Sequence, residues 1–300
     1  MKIAILGKNS QIGRALIDSL KHDFKVYSYG RNSITNFNDL DLLDDFIKDL
    51  SVIKPDIIIN CVAFTEVDLA EKEQDRAKKL NSFLPSMLAK ASNKFNSILI
   101  HFSSDYVYPG TDKIPWNEVS RTGPKSIYAS TKLDGDLSII NNANRYLIYR
   151  TSWIYSINGR NFPNTMLKIG KNKDYLKIVR DQIGSPTSAS LIASIVKMFI
   201  LKHIQRNFRE DDYGIYNLAS SGYVSWYDFA SYIFEKLKSY DESYKNLVLI
   251  PVSSNDYKSK AVRPLNSRLD CTKISTYLDI ELDSWKKCID IFLEEAVFKD

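Results

Sequence analysis

The chain has 300 residues, 44% of them hydrophobic and 26% charged, which is the composition of an ordinary globular protein. It has no apolar run long enough to span a bilayer and no signal-peptide pattern at its start, so we expect neither a membrane protein nor a secreted one. The net charge of +5 comes from 41 basic and 36 acidic residues mixed along the sequence, which argues against a nucleic-acid partner. Three cysteines and three histidines without disulfide or metal-binding spacing predict a cytoplasmic protein with no metal site.

The first half of the chain alternates strand patterns with helix patterns. Such alternation indicates βαβ units, and continuous apolar strands indicate helices on both faces of the sheet. We therefore expect an α/β fold built on a doubly wound, Rossmann-type parallel sheet. The predicted strands are 2–6, 24–29, 56–61, 97–102 and 146–151, and the predicted helices are 11–20, 42–50 and 76–91.

The second half is less regular and predicts a smaller C-terminal substrate-binding lobe. Its helix patterns cover 161–169, 189–204, 225–237 and 284–298, with a short strand at 214–218 and a polar loop at 252–268. We assign 1–150 to an NAD(P)-binding Rossmann domain and 151–300 mainly to the lobe. Segments near 189–220 are expected to pack back onto the first domain, and a ligand crevice should lie beyond the carboxyl ends of the strands.

A glycine-containing turn stands between the first strand and the first helix. The segment from Gly7 to Gly13 has two of the three glycines of a dinucleotide-binding turn, with Ser10 at the middle position. Such a turn brings backbone N–H groups and a helix N-terminus against a pyrophosphate. A plain βα turn would fit the same residues, but the strand–turn–helix context favours cofactor binding.

Arg31 follows Gly30 at the end of the second predicted strand, where dinucleotide folds meet the adenosine ribose. An acidic residue there binds the ribose 2′-OH, whereas an arginine accommodates a 2′-phosphate. No acidic residue occurs from Val26 to Ser33. The sequence therefore predicts NADPH as the preferred cofactor, with NADH possible, although a solvated surface arginine is the alternative.

Tyr128 and Lys132 form the most specific motif for catalysis in the sequence. Their spacing places both side chains on one face of a helix. A cation beside a phenol is expected to lower the phenol's pKa, so that the phenol exchanges a proton with an alcohol or carbonyl oxygen. Ser103 and Ser104 follow the preceding strand, where a hydroxyl can bond the same reacting oxygen. The order of turn, hydroxyl and tyrosine–lysine pair is a joint signal for a reductase.

Together with blocks elsewhere, these residues resemble the extended short-chain dehydrogenase/reductases, and within them the dTDP-4-dehydrorhamnose reductase family. The resemblance runs from Met1 to about Val297, and its last three blocks are typical of that reductase family rather than of the superfamily. The blocks are 7–13, 60–68, 103–108, 114–118, 128–136, 150–155, 181–187 and 263–269.

The resemblance implies NAD(P)H-dependent reduction of the C4 keto group of dTDP-4-dehydro-L-rhamnose to dTDP-L-rhamnose. Tyr128 would donate the proton, Lys132 would tune Tyr128 and hold the nicotinamide ribose, Ser104 would orient the carbonyl, and Asn81 would support the group. The candidate substrate-binding residues are Ser104, Asp105, Trp153 and Arg263. The candidate cofactor-binding residues are Gly7, Ser10, Gln11, Ile12, Gly13, Gly30, Arg31, Asp39, Leu40, Ala63, Phe64, Thr65, Tyr128 and Lys132.

Several alternatives stay open at this point. The chain would also fit a sister 4-ketoreductase acting on another nucleotide-activated deoxysugar, or a regulatory subunit that has lost catalysis, although the intact Tyr128 and Lys132 argue against the latter. Trp153 would also fit a core aromatic between the lobes. Some family members dimerise around a magnesium ion held by glutamates; Ala15 stands at the matching place, so we expect no metal, while a homodimer stays open.

Overall fold

The structure, a computed structural model, describes residues 1–30, 40–206, 208–257 and 260–298, except for the side chains of 40–45 and 298. Arg31 and Asp39, two of the predicted cofactor residues, lie outside this range. Leu40 is described only as the first residue of a helix.

The centre of the fold is a six-stranded sheet in which every pair of neighbouring strands is parallel. Its strands are β1 (Lys2–Leu6), β2 (Lys25–Tyr29), β3 (Ile57–Asn60), β4 (Ile98–Ser104), β5 (Tyr146–Thr151) and β10 (Gly214–Asn217). Across the sheet they lie in the order β10-β5-β4-β3-β1-β2. The direction of winding reverses between β1 and β3, so the ligand crevice of such a sheet lies beyond the carboxyl ends of these two strands.

Helices cover both faces of this sheet because its strands are apolar on both sides. Ile3 and Ile5 of β1 pack in one core, whereas Ala4 and Leu6 pack in another. The helices are α1 (Gln11–Leu20), α2 (Leu40–Ile53), α3 (Val67–Ala70), α4 (Gln74–Lys78), α5 (Leu84–Phe95), α6 (Ile127–Asn142), α7 (Phe162–Gly170), α8 (Ala189–Arg206), α9 (Trp226–Tyr240), α10 (Thr272–Leu278) and α11 (Trp285–Phe298). A π-helical turn, Lys79–Phe83, joins α4 to α5.

Short strands build the smaller lobe at the carboxyl edge of the sheet. They form the sets β11-β8-β13, β12-β7 and β6-β9. Their bounds are β6 (Ile154–Tyr155), β7 (Tyr175–Val179), β8 (Ile183–Gly184), β9 (Thr187–Ser188), β11 (Val224–Ser225), β12 (Val248–Val252) and β13 (Asn266–Ser267).

The predicted fold class is confirmed, and the structure corrects four details of the prediction. The predicted helix 76–91 is broken by the π-helical turn, in which Asn81 is fully buried. β4 runs on through Ser104. The predicted loop 252–268 contains β13, and β7 was not predicted, because these short strands depend on partners distant in sequence. β10 joins the main sheet beside β5, while the division into two domains at residue 150 stays a prediction.

Candidate active site

The turn after β1 packs closely against its neighbours at two glycines. Gly7 has a φ of +89°, and a Cβ there would lie 2.9 Å from the backbone of Cys61. A Cβ on Gly13 would lie 2.1 Å from the carbonyl oxygen of Gly7, so α1 begins in contact with the turn. Ser10 caps α1, since its Oγ accepts a 3.0 Å hydrogen bond from the Gly13 N–H. The positive end of the α1 dipole therefore faces the switch point of the sheet, as binding of a pyrophosphate requires.

The remaining predicted cofactor residues of this region are close to the same turn. Gln11 Oε1 accepts a 2.8 Å hydrogen bond from Asn161 Nδ2, which connects α1 to the lobe. Ile12 is buried in the core, so only its backbone is available to a ligand. A Cβ on Gly30 would lie 2.9 Å from Lys8 Cγ, which places the lysine beside the end of β2.

Asn81 connects the loop after β3 to α6. Its Oδ1 accepts a 2.8 Å hydrogen bond from the Phe64 N–H, and its Nδ2 donates to the Phe64 carbonyl oxygen at 3.2 Å and to Thr131 Oγ1 at 3.1 Å. A Cβ on Gly135 would lie 2.1 Å from the Asn81 carbonyl oxygen, so α6 packs directly on the π-helical turn. Of the loop residues predicted to bind cofactor, Ala63 is half-buried, Phe64 is buried and Thr65 is exposed.

The helix α6 carries Tyr128 and Lys132 one turn apart. Ser126 caps its start, and the Glu71 carboxylate accepts a 2.9 Å hydrogen bond from its first backbone N–H. The Tyr106 ring packs edge-on against the Tyr128 ring, with centroids 5.7 Å apart. The first turn of α6, and Tyr128 within it, is therefore held from both sides.

Ser104 ends β4 beside this helix. Its Oγ donates a 3.0 Å hydrogen bond to Asp105 Oδ1 and accepts a 3.2 Å hydrogen bond from the Tyr106 N–H. Burial raises the pKa of Asp105 to about 7, although the hydroxyls of Ser267 and Ser104 oppose the shift. Ser104 and Asp105 thus form a buried polar pair next to the candidate acid.

The pKa of Tyr128 moves in the direction opposite to the expected one. Burial raises it to about 12, which the Ser104 hydroxyl opposes and the Asp105 carboxylate reinforces. Lys132 does not lower it, because the lysine Nζ is directed at the Phe102 carbonyl oxygen, 2.7 Å away. Tyr128 is therefore a protonated phenol at neutral pH, ready to act as a proton donor rather than as a base.

Lys132 is buried, with 1% of its surface exposed. Burial lowers its pKa to about 8, and the Asp136 carboxylate partly offsets that shift. Asp136 is itself paired with Arg150, whose Nε donates to Asp136 Oδ2 at 3.2 Å. Asp136 therefore interacts with two basic side chains, those of Arg150 and Lys132.

Trp153 follows β5 at the same edge of the sheet. Its φ of +48° is a left-handed conformation, and its ring stacks on Trp226, with centroids 3.5 Å apart. A Cβ on Gly184 would lie 2.8 Å from the Trp153 ring, so only glycine fits there. The ring is partly exposed and its conformation is fixed from several sides.

Arg263 lies in the loop before β13 and pairs with Asp68 of α3, with Nη2 and Oδ2 2.8 Å apart. Asp68 Oδ1 also accepts a 3.0 Å hydrogen bond from the Ala261 N–H. Burial alone would raise the pKa of Asp68, but the Ala261 N–H and the Arg263 guanidinium together lower it. A role for Arg263 in substrate binding stays a prediction.

The sequence analysis missed the buried polar groups behind the site, namely Asn60, His101 and Arg150. One signal was present, because His101 interrupts the apolar run of β4. Within the described ranges, no group of three or more His, Cys, Asp or Glu side chains is arranged to hold a metal ion, and no helix is long and apolar enough to cross a membrane.

A doubly wound sheet with a glycine turn at its switch point, and with a serine, a tyrosine and a lysine at its carboxyl edge, defines a short-chain dehydrogenase/reductase. The family model of the RmlD substrate binding domain matches residues 1–298. The dTDP-4-dehydrorhamnose reductase of Salmonella typhimurium is 33% identical over 98% of both chains, and that of Sinorhizobium fredii is 36% identical over 96% of this chain and 95% of its own. The chain therefore belongs to the dTDP-4-dehydrorhamnose reductase family, which confirms the resemblance noted from its motifs.

Solved structures agree with this assignment. The dTDP-4-dehydrorhamnose reductase of Clostridium acetobutylicum superposes with a TM-score of 0.86 at 32% identity, covering 98% of this chain and 99% of that one. The Bacillus anthracis enzyme, solved in complex with NADP, gives a TM-score of 0.85 at 31% identity, with the same coverage.

Proposed function

We propose that the chain reduces the C4 keto group of dTDP-4-dehydro-L-rhamnose to dTDP-L-rhamnose, with NADPH as its preferred reductant. The printed names of its relatives support the substrate, and the NADP complex of the Bacillus anthracis enzyme supports the cofactor. The observation that carries the proposal is the closeness of the Ser104 and Tyr128 hydroxyl groups. The Ser104 hydroxyl is near enough to hydrogen-bond the phenol and to oppose the rise in its pKa that burial causes. That pairing is what reduction of a carbonyl requires.

The start of α1 supports this cofactor, since the free backbone N–H groups and the positive dipole end of a helix N-terminus suit a pyrophosphate. NADPH, when bound, supplies the hydride to the carbonyl carbon of the sugar. Lys132 would hold the nicotinamide ribose, and Arg31 would bind the 2′-phosphate.

Tyr128 holds the proton that the new hydroxyl needs. Its raised pKa keeps the phenol protonated at neutral pH, so that it donates its proton as negative charge develops on the carbonyl oxygen. The Ser104 hydroxyl would hydrogen-bond the same oxygen and thereby set the direction of the carbonyl. Asn81 forms hydrogen bonds with both the loop after β3 and α6. It thereby fixes the position of α6, and of Tyr128 on it, relative to that loop.

Three further residues would recognise the substrate. Trp153 offers a partly exposed ring, which suits packing against a sugar. Asp105 offers a buried carboxyl beside Ser104. Arg263 offers a guanidinium, which suits the diphosphate of a sugar nucleotide.

The test is to mix the purified protein with NADPH and dTDP-4-dehydro-L-rhamnose, to follow NADPH oxidation by absorbance, and to assign the C4 configuration of the product by NMR. We expect stoichiometric oxidation and dTDP-L-rhamnose as product. The same assay with other nucleotide-activated 4-keto-6-deoxysugars tests the alternative of a sister 4-ketoreductase, which would turn over one of these sugars faster. A chain that binds NADPH but oxidises it with none of them would instead be the regulatory subunit.

We also infer that the protein works in the cytoplasm. The free thiols of Cys61, Cys271 and Cys288 support this location, because reduced cysteines suit a reducing compartment. A homodimer stays open, and sedimentation of the purified protein would test it.

A further inference from the structure

A row of polar side chains runs from β3 through β4 to α6, behind the candidate active site. Asn60 and His101 are opposite each other in the register of β3 and β4, and both are buried. Asn60 Nδ2 lies 3.0 Å from His101 Nδ1, and His101 Nε2 lies 3.2 Å from Lys132 Nζ. The row therefore ends on the lysine assigned to the reaction.

The orientation of the Asn60 amide determines the tautomer of His101. The Val62 N–H donates a 3.0 Å hydrogen bond to one end of the amide, and only the carbonyl oxygen can accept it. The other end is consequently the NH₂ group, which donates to His101 Nδ1. That nitrogen must carry a lone pair, so the proton of the neutral imidazole is on Nε2.

This tautomer has a consequence for Lys132. The Nε2–H of His101 is a donor, and an ammonium group has donors only, so the two would repel each other. A neutral amine has one lone pair and two N–H bonds. It can accept from His101 Nε2 at 3.2 Å and donate to the Phe102 carbonyl oxygen at 2.7 Å, which satisfies both contacts at once.

We propose that His101, held in this tautomer by Asn60, is a positioning residue that fixes Lys132 behind Tyr128 and favours the uncharged form of the lysine. Its catalytic consequence rests on the reductase function proposed above. An uncharged Lys132 does not lower the pKa of Tyr128, so the phenol keeps its proton until the sugar oxygen takes it.

The other charged groups around Lys132 do not reverse this preference. Burial lowers the pKa of Lys132 to about 8, in the same direction as the contact with His101. The pKa of His101 is held well below its usual value chiefly by burial, so the imidazole stays neutral. The remaining titratable groups facing this region are Asp136 and Tyr128 of α6, Arg150 of β5, and Asp105 of the turn after β4.

The first test measures the protonation of His101 and Lys132 by NMR in the parent protein. Nitrogen-15 NMR of the histidine rings reports which nitrogen carries the proton, and we expect the Nε2–H tautomer for His101 across the neutral range. Titration of the Lys132 side-chain resonance, assigned by its absence in Lys132→Met, should show an ionisation near pH 8. An Nδ1–H tautomer, or a lysine that stays charged up to pH 10, would overturn the proposal.

Two substitutions test the cause of the shift. His101→Gln can turn an amide oxygen towards Lys132, and Asn60→Asp moves the imidazole proton to Nδ1, so each gives the ammonium an acceptor. We expect the lysine ionisation to move up by about one pH unit or more in both variants. The matched control is His203→Gln on α8, which should leave the lysine ionisation unchanged.

An unshifted ionisation in His101→Gln and Asn60→Asp, in protein that still melts cooperatively, would assign His101 a packing role only. The NMR titrations need no substrate. A failure of the proposed sugar reduction would therefore show in the NADPH assay and leave these measurements intact.

Discussion

Trp153 and Trp226 stack face to face, with ring centroids 3.5 Å apart and ring planes 9° apart. Trp153 belongs to the carboxyl edge of the main sheet, whereas Trp226 begins α9 in the lobe. The lobe therefore holds a candidate substrate-binding ring in place through a neighbour that was not itself predicted to touch substrate.

Trp226→Ala should raise KM for the sugar nucleotide by about two- to tenfold, since an aromatic pair contributes ~0.5–1.5 kcal/mol beyond its area. The affinity for NADPH should not change. Steady-state kinetics measure KM for the sugar nucleotide, and a separate titration measures NADPH binding. Trp226→Phe keeps a ring against Trp153, so its KM should be close to that of the parent protein. An unchanged KM in the alanine variant would mean that Trp153 holds its position without the stack.

Tyr128→Phe should lower turnover at least about a hundredfold, which is the usual scale for loss of a positioned acid. The ring remains, so the affinity for NADPH should change little. Single-turnover kinetics with a saturating dTDP-4-keto sugar measure the effect on the chemical step. The matched control is Tyr146→Phe, at the amino-terminal end of β5, which should keep full activity; normal turnover in Tyr128→Phe would remove Tyr128 as the acid.

Asp105 and Asp68 should give stability profiles of opposite sign against pH. Burial raises the pKa of Asp105 from 3.8 to about 7, so between these values the folded chain holds a proton that the unfolded chain has lost. The contribution of Asp105 to the free energy of unfolding therefore falls as pH rises from about 4 to 7. The melting temperature of Asp105→Asn should equal that of the parent near pH 4 and exceed it at pH 8. Thermal melts at several pH values measure this difference.

Asp68 provides the contrast. Its pKa is lowered by the Ala261 N–H and the Arg263 guanidinium against the effect of burial, so its contribution to stability is present above the ordinary aspartate pKa and is lost as pH falls through the lowered value. Asp68→Asn should therefore have a lower melting temperature than the parent at pH 8, and the difference should become smaller in acid. Parallel profiles for the two variants would contradict the assignment of opposite shifts.

Arg31→Ala should weaken NADPH binding by ~1.5–3 kcal/mol, the usual range for a hydrogen bond to a charged group, and leave NADH binding nearly unchanged. Fluorescence titration with each cofactor gives both dissociation constants. Lys8→Ala tests whether the lysine beside Gly30 shares the same phosphate. Equal preference for the two cofactors in the parent, with the ratio unaltered by Arg31→Ala, would make Arg31 a solvated surface residue.

The sheet was predictable because its strands are buried on both faces, so that β1 and β3 appear as uninterrupted apolar runs. The lobe was less predictable: β8 and β13 are two residues long and are strands only because they pair with segments distant in sequence. Within the site, the spacing of Tyr128 and Lys132 predicted their shared helix face. It could not predict where the lysine points, because that depends on contacts with His101 and Phe102, which belong to β4.

The pairing of β7 with β12 has a consequence for synthesis of the chain on the ribosome. α8, β10 and α9 all lie between these two strands in sequence, so the main sheet can be complete while β7 still lacks its neighbour. An emerging chain therefore passes through a stage in which the half that carries the glycine turn is folded and an open strand edge is exposed. Translation past β12 closes that edge, which makes the lobe of short strands the last part of the protein to form.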